Sequence, residues 1–116
     1  MNRLTDIFKL FSDETRLRIL ILLYQEELCV CQLSGVLDVP QPRISQILSK
    51  FRDLDLVYDE RKEKYVFYSL KRNNIIFMDI LKDIMNDIEE YPKLLDDRKG
   101  LGGKEEYLTQ CCNVYK

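Results

Sequence analysis

Histidine is absent from this sequence of 116 residues, and its absence excludes several classes of function. No His-ligated metal site, histidine general base or cysteine–histidine nucleophile pair can form. A phosphate-binding loop and a paired acid and base are also missing. Because a cysteine nucleophile normally needs a partner that activates it, we expect a protein that is not an enzyme and has no organic cofactor.

Long apolar runs and an excess of one charge are missing as well. The apolar run at residues 19–24 is far too short to span a membrane, and the first residues contain no apolar signal core. The formal net charge is −2, which by itself does not favour a nucleic-acid partner. We therefore expect a cytoplasmic protein with no membrane partner, in which any DNA binding depends on local charge.

The hydrophobic fraction of 46% is enough to bury the core of one small domain. Apolar residues at helical spacing predict a first helix around residues 4–11, followed by a second helix capped by Ser12. A third helix is predicted over Val30–Leu37. The fourth has Pro42 at its first position, where no backbone N–H is needed.

The second half of the chain predicts a hairpin and a long helix. Two strand-like runs, Leu56–Tyr58 and Tyr65–Leu70, flank the charged connection 59–64. The long helix is predicted from about Asn74 to Tyr91, where Pro92 stops it. These elements predict a mainly α fold with a small β-hairpin, the winged helix-turn-helix. Because the first and last helices are more apolar than a small monomer needs, we expect a homodimer that pairs them.

The C-terminal segment differs from the rest in composition. It contains three of the four glycines and then the adjacent pair Cys111 and Cys112. We therefore predict a DNA-binding and dimerisation domain over residues 1–92 and a tail over residues 93–116. The cysteines of this tail are either incidental thiols or ligands that fold back onto the domain.

Four cysteines in a small cytoplasmic chain favour metal binding or redox chemistry over structural disulfides. Cys29 and Cys31 lie in the segment 27–33, one helix before the predicted DNA-reading helix. Because thiolates prefer soft metals, the pair is a candidate site for a thiophilic ligand. The alternative is that both cysteines are packed as small hydrophobic residues. Residues i and i+2 point to different sides of a regular helix, so both sulfurs reach one ion only if the helix start is distorted.

The fourth helix has a polar face opposite its apolar stripe, with Arg43, Gln46 and Lys50 at i, i+3 and i+7. Arginine and glutamine can read base edges in the major groove, whereas serine and lysine suit phosphates. The alternative for the helix is an ordinary solvated face, and the alternative for the charged hairpin connection is a soluble turn without DNA contact. The predicted contacts to double-stranded operator DNA are Gln41, Arg43, Ser45, Gln46, Ser49 and Lys50 in the helix, with Arg61, Lys62 and Lys64 in the hairpin.

Three stretches of the sequence resemble the ArsR/SmtB family of metal-sensing winged-helix repressors, and the likeness is closest to its arsenic-responsive branch. They read LFSDETRLRIL at residues 10–20, ELCVCQL at 27–33 and QPRISQIL at 41–48. The family's thiolate box is usually ELCVCDL. The resemblance covers about residues 4–90 and implies a homodimeric repressor that a thiophilic metal or metalloid releases from DNA.

Two departures from the family pattern change the expected ligands. The arsenic-sensing archetype has a third cysteine at the position of Ser34, and serine supplies no thiolate. The zinc sensors use carboxylate and histidine ligands on the last helix, a site that this chain cannot form. The resemblance therefore implies a third sulfur from Cys111 or Cys112 of the tail, or a fourth if both bind, so the candidate metal ligands are Cys29, Cys31, Cys111 and Cys112.

The number of sulfurs predicts the inducer. Three thiolates make a trigonal site for arsenite or antimonite, whereas four suit Cd(II), Pb(II) or zinc. We expect arsenite or antimonite, with Cd(II) or Pb(II) as the alternative. The same fold also allows a thiol-redox repressor that responds through a disulfide or persulfide. A metal-trafficking or thiol protein without DNA binding is a more remote hypothesis.

Overall fold

The structure, a computed structural model, describes the backbone of residues 2–108 and the side chains of residues 4–108. It confirms the mainly helical winged helix-turn-helix class. The elements in chain order are α1 (Asn2–Phe11), α2 (Glu14–Gln25), β1 (Leu28–Cys29), α3 (Val30–Leu37), α4 (Gln41–Asp53), β2 (Val57–Lys62), β3 (Tyr65–Leu70), α5 (Ile75–Asn86) and α6 (Pro92–Gly100). One short 3₁₀ helix, Ile88–Glu90, lies between α5 and α6, and another, Leu101–Gly103, follows α6.

The start of α2 is capped one residue later than the sequence predicted. The side chain of Asp13 accepts a hydrogen bond from the backbone N–H of Arg16 at 2.9 Å. Ser12, the predicted cap, donates its hydroxyl to the carbonyl of Lys9 at 2.6 Å and so closes the end of α1. A carboxylate at this place also interacts favourably with the positive end of the helix dipole.

Helix α3 has the predicted bounds, and Ser34 and Asp38 shape its end. Asp38 adopts the left-handed conformation, with φ 58° and ψ 48°, and stops the helix. The hydroxyl of Ser34 donates to the carbonyl of Val39 at 2.6 Å. Ser34 therefore stabilises the turn into α4, which begins at Gln41, one residue before Pro42.

The sheet contains one more strand than predicted among the described residues. Strands β2 and β3 form the expected antiparallel hairpin, with Val57 opposite Leu70 and Lys62 opposite Tyr65. Strand β2 runs through the charged segment because an exposed edge strand tolerates polar side chains. Strand β1 pairs with the other edge of β3, which gives the order β1-β3-β2.

The predicted long helix is interrupted. Asn74 caps α5 by accepting a hydrogen bond from the backbone N–H of Phe77 at 3.1 Å. The helix ends at Asn86, not Tyr91, and Pro92 begins α6. Proline suits this first position because its missing N–H would have no helical partner. Part of the predicted tail is therefore helical; the division at residue 92 itself stays a prediction.

The core is built around α2, whose residues 19–23 are all buried. Leu94 and Leu101, from the C-terminal segment, join the same apolar cluster. Large apolar side chains stay exposed on α1 and α5: Phe8 is 53% exposed and Ile75 is 75% exposed. Over the described residues, no helix is both long enough and apolar enough to cross a membrane.

Candidate thiolate site and DNA-facing surface

Cys29 and Cys31 lie where β1 meets α3. Cys29 is the last residue of β1 and precedes the first helical residue, with extended backbone at φ −92° and ψ 170°. Cys31 belongs to the first turn of α3, and each of the two residues is only 2% exposed. Cys29 therefore lies just outside the regular helix and Cys31 lies within its first turn; that both sulfurs bind one ion stays a prediction.

The thiol of Cys29 is free and buried. Burial raises the pKa of this thiol above its ordinary value, while the backbone N–H groups of Gln32 and Cys31 lower it by a smaller amount. The backbone N–H of Cys29 donates to Oε1 of Gln32, itself 1% exposed, at 3.1 Å. This bond secures the start of α3, and the protonated thiol is the form that the surroundings favour.

Cys31 differs from Cys29 in its bonding. It is disulfide-bonded, whereas the thiol of Cys29 is free. The predicted tail ligands Cys111 and Cys112 lie outside the described residues, so their part in the site stays a prediction. Within residues 2–108, no group of three or more Cys, Asp or Glu side chains is placed to hold a metal ion.

The surroundings of the cysteine pair are apolar and come from two distant parts of the chain. Tyr65 and Phe67 of β3 pack against the pair, and so does Leu108. The hydroxyl of Tyr65 donates to the carbonyl of Leu108 at 3.2 Å. The C-terminal segment therefore reaches the cysteine pair within a single chain.

The polar face of α4 lies as predicted. Four apolar side chains, Ile44, Ile47, Leu48 and Phe51, are buried. Of the predicted DNA contacts on this helix, four are exposed and two are half-buried: Arg43, Gln46, Ser49 and Lys50, and Gln41 and Ser45, respectively. The arrangement leaves a polar helix surface open, as a helix entering the major groove needs. The individual base and phosphate contacts stay predictions.

The hairpin residues Arg61, Lys62 and Lys64 are all exposed. The ammonium of Lys62 binds both carboxylate oxygens of Glu27, with 2.8 Å to Oε2, and this partner raises the pKa of the lysine. Arg61 donates to the carbonyl of Glu63 at 3.3 Å. A phosphate must therefore compete with Glu27 for Lys62.

A cleft of about 460 Å³ lies between Cys29, α4 and the hairpin. Cys29 and Val30 form one side of it, and Ser45 of α4 forms another. The hairpin closes the cleft through Asp59, Arg61, Lys64, Tyr65, Val66 and Tyr68. A change at the start of α3 is thus adjacent to both elements predicted to contact DNA.

Several residues of this site were not predicted from the sequence. Gln32, three residues after Cys29, has the spacing of a capping box, and this pattern was available as a signal. The link from Glu27 to Lys62 joins residues 35 apart in the sequence. Leu108 and Tyr65 are 43 residues apart, so no local pattern indicates their contact.

Comparison with known proteins agrees with this arrangement. The profile described as "Bacterial regulatory protein, arsR family" matches residues 13–59. The arsenic resistance transcriptional regulator ArsR1 of Pseudomonas putida is 36% identical over 87 residues, which are 73% of this chain and 68% of that protein. The arsenical resistance operon repressor of Escherichia coli is 46% identical over 65 residues, which are 55% of this chain and 56% of that protein.

A relative named for resistance to a different metal also matches. The cadmium resistance transcriptional regulatory protein CadC of Listeria innocua is 33% identical over 84 residues, covering 72% of this chain and 69% of that protein. Among solved structures, HlyU of Vibrio cholerae matches with a TM-score of 0.66 and 28% identity, over 73% of this chain and 90% of HlyU. The chain therefore belongs to the ArsR family of helix-turn-helix, DNA-binding transcription regulators.

Proposed function

We propose that this chain is a cytoplasmic, homodimeric repressor that leaves its operator when arsenite or antimonite binds Cys29, Cys31 and a tail cysteine. The observation that carries the proposal is the buried pair of cysteines at the start of α3, beside the cleft that also contains Ser45 of α4. The names of the two arsenic-resistance relatives support the choice of ligand.

The burial of the cysteines favours a metalloid over a divalent cation. Arsenous acid exchanges its three hydroxyl groups for three thiol sulfurs, and each thiol proton leaves with a hydroxyl group as water. The product is neutral. Cd(II) held by three or four thiolates carries net negative charge, which costs free energy among Tyr65, Phe67 and Leu108. Cd(II) or Pb(II) at four sulfurs is the alternative inducer, and the cadmium-resistance relative supports it.

The dimer and the DNA contacts are argued from exposed surfaces. Phe8 on α1 and Ile75 and Ile76 on α5 leave large apolar side chains in solvent. Pairing α1 and α5 across a two-fold axis covers such a surface and sets two copies of α4 at a fixed separation. The predicted residues of α4 and the hairpin then contact successive grooves of the operator.

Release follows from the packing of the cysteine pair. Helix α3 packs directly against α4, and β1 is paired with β3 of the hairpin. Drawing the sulfurs of Cys29 and Cys31 onto one atom shifts the junction of β1 and α3, and therefore the elements on both sides of the cleft. A coupling free energy of about 1–3 kcal/mol corresponds to DNA binding weakened roughly 5- to 150-fold.

The test is a fluorescence-anisotropy titration with DNA from upstream of the gene and fully reduced protein. Stoichiometric arsenite is expected to release the wild type, while Cys29→Ser and Cys31→Ser bind DNA normally and are not released. DNA of unrelated sequence is the control for specific binding. Normal release of either variant by arsenite contradicts the ligand assignment. Release by Cd(II) or Pb(II) alone favours the four-sulfur alternative.

One observation favours a second candidate function, a repressor that senses thiol oxidation. Cys31 is disulfide-bonded in this structure. Peroxide converts two thiols to one disulfide and is itself reduced to water, so no metal is required. Release of the reduced protein by peroxide or polysulfide, reversed by dithiothreitol and unaffected by a metal chelator, supports this function. Release by arsenite without oxidant supports the first.

A further inference from the structure

The junction between α4 and β2 sets the direction in which the hairpin leaves the predicted DNA-reading helix. Only the residues 54–56 separate the two elements. Asp55 adopts the left-handed conformation with φ 64°, and its backbone N–H donates to the carbonyl of Arg52 at 3.0 Å. The N–H of Leu56 donates to the carbonyl of Phe51 at 2.9 Å. This pair of hydrogen bonds is the Schellman motif, which ends α4 and redirects the chain into β2.

Apolar packing fixes only the start of β2. Val57 is buried, and the following five residues of the strand are exposed. The strand lies at the edge of the sheet, whose order is β1-β3-β2. Beyond Val57, the distance between β2 and α4 therefore depends on polar contacts and on the pairing of β2 with β3.

One polar contact joins α4 and β2 across the junction. Nη1 of Arg52, in the last turn of α4, donates to Oδ2 of Asp59 at 2.9 Å. The two side chains are 51% and 35% exposed. We call this ion pair the Arg52–Asp59 brace. Because an exposed ion pair contributes little to the free energy of unfolding, variants that lack the brace should still fold.

The charge of Asp59 is unfavourable for a surface that binds DNA. The residue lines the cleft between Cys29, α4 and the hairpin, together with the predicted DNA contacts Arg61 and Lys64. Asp59 and Arg61 are two residues apart on one strand, so their side chains share a face of the sheet. A carboxylate on a face that meets phosphates repels them. The guanidinium of Arg52 offsets this charge and connects the same face of the strand to α4.

We propose that the Arg52–Asp59 brace positions the hairpin against α4, so that Arg61 and Lys64 contact the DNA backbone while α4 occupies the major groove. Asp59 is then a positioning residue for DNA binding, although its charge has the same sign as that of DNA. This inference rests on the hairpin contacts of the proposed function. It does not depend on the identity of the inducer.

The sign of one substitution separates positioning from charge. Asp59→Asn removes a negative charge beside the DNA, which by charge alone tightens binding. The brace predicts the opposite, a loss of about two- to fivefold in affinity for the DNA upstream of the gene, which is the range of an exposed ion pair. Asp53→Asn, which removes the exposed carboxylate next to Arg52, is the matched control and should not weaken binding. If Asp59→Asn binds as tightly as Asp53→Asn, the proposal is overturned.

The salt dependence of binding identifies the contacts that the brace supports. A two- to fivefold loss at about 0.1 M salt that disappears at about 1 M corresponds to a slope of log K against log salt that is smaller by about 0.3 to 0.7. The preference for upstream over random DNA should stay within about twofold, because the phosphates are the same in both. An unchanged slope in Asp59→Asn assigns the ion pair to the base contacts of α4 and overturns the proposal.

A double-mutant cycle tests whether the two side chains act as one unit. Arg52→Gln should also weaken binding, and in the Arg52→Gln background Asp59→Asn should cause no further loss. Equal losses from Asp59→Asn in both backgrounds show that the side chains act separately, which overturns the proposal. Circular dichroism and urea unfolding should give each variant the spectrum and midpoint of the wild type, because the pair is exposed.

A variant of the contacts themselves separates failure of the brace from failure of the proposed function. Arg61→Ala combined with Lys64→Ala should lower the salt slope by about 2. If it does and Asp59→Asn binds like Asp53→Asn, the brace fails and the hairpin contacts stand. If the slope is unchanged, the hairpin contacts fail and the brace fails with them. The titrations use the reduced full chain without inducer, so neither result depends on arsenite.

Discussion

Lys62 of the hairpin and Glu27 of the turn before β1 form an ion pair in which both carboxylate oxygens accept from one ammonium. Glu27 is two residues from Cys29, so the pair joins the thiolate segment directly to the element predicted to contact DNA. The lysine is exposed, with 46% of its side chain in solvent, and an exposed ion pair of this kind breaks at little cost in free energy.

Removing the carboxylate of Glu27 is expected to strengthen DNA binding. Glu27→Gln removes the closer of the two carboxylates at the Lys62 ammonium and leaves Glu60 at 3.9 Å, so phosphate competes more easily. One added phosphate contact raises the salt dependence of log K by about 1. The measurement is operator affinity by anisotropy from low to high salt. Glu14→Gln, an exposed carboxylate on α2, is the control. An unchanged salt slope in Glu27→Gln shows that Lys62 contacts no phosphate.

The pH dependence of ligand binding should distinguish arsenite from cadmium. Burial raises the pKa of the Cys29 thiol, so the protonated form contributes stability at neutral pH, and this contribution is lost as pH rises through the raised pKa. Cd(II) must displace that proton into solvent, and its affinity should rise with pH throughout the range below the raised pKa.

Arsenous acid binds without net proton release, because its hydroxyl groups take up the thiol protons. Its affinity should therefore stay nearly constant over the same neutral range. Isothermal titration calorimetry in buffers of different ionisation enthalpy measures the protons released by each ligand. Equal proton release by arsenite and Cd(II) contradicts the exchange of hydroxyl for thiol that the proposal requires.

Breaking the ion pair between Arg18 and Asp97 should destabilise the fold. Asp97→Ala leaves the guanidinium of Arg18 largely buried without its carboxylate, and the loss of one partner of such a pair costs about 3–5 kcal/mol. Urea unfolding followed by circular dichroism measures the free energy of unfolding. Asp96→Ala changes the exposed neighbouring carboxylate and should cost less than about 0.5 kcal/mol. Equal effects of the two variants contradict this account of the buried ion pair.

The two kinds of predicted DNA contact should respond differently to substitution. Arg43→Ala should cost about 1–3 kcal/mol on the operator and relax preference for one base pair. Lys50→Ala should weaken binding to all sequences alike and lower the salt slope by about 1. Competition titrations with operator and random DNA measure both effects. Lys9→Ala, on the exposed face of α1, serves as a control. Identical behaviour of Arg43→Ala and Lys50→Ala contradicts the division of roles.

The sequence by itself predicts the helices of the winged fold and the location of the cysteine pair. Helix α3 has the predicted bounds, and the apolar stripe of α4 is buried. Such helices can be predicted because their apolar residues recur three or four positions apart in the sequence. The family resemblance, drawn from three short stretches, is confirmed by the matched profile and the relatives. Chemistry that depends on composition, such as the exclusion of histidine ligands, is likewise settled without coordinates.

Only the tertiary structure decided how the distant parts of the site meet. Strand β1 has two residues, which are too few for a periodic pattern in the sequence. It forms because its backbone pairs with the edge of β3 that β2 leaves free. Pro92 stops a helix in the sequence pattern, yet in the fold it begins α6. Arg18 and Asp97 are 79 residues apart. Such pairings depend on the path of the whole chain through space, and local sequence patterns contain no information about that path.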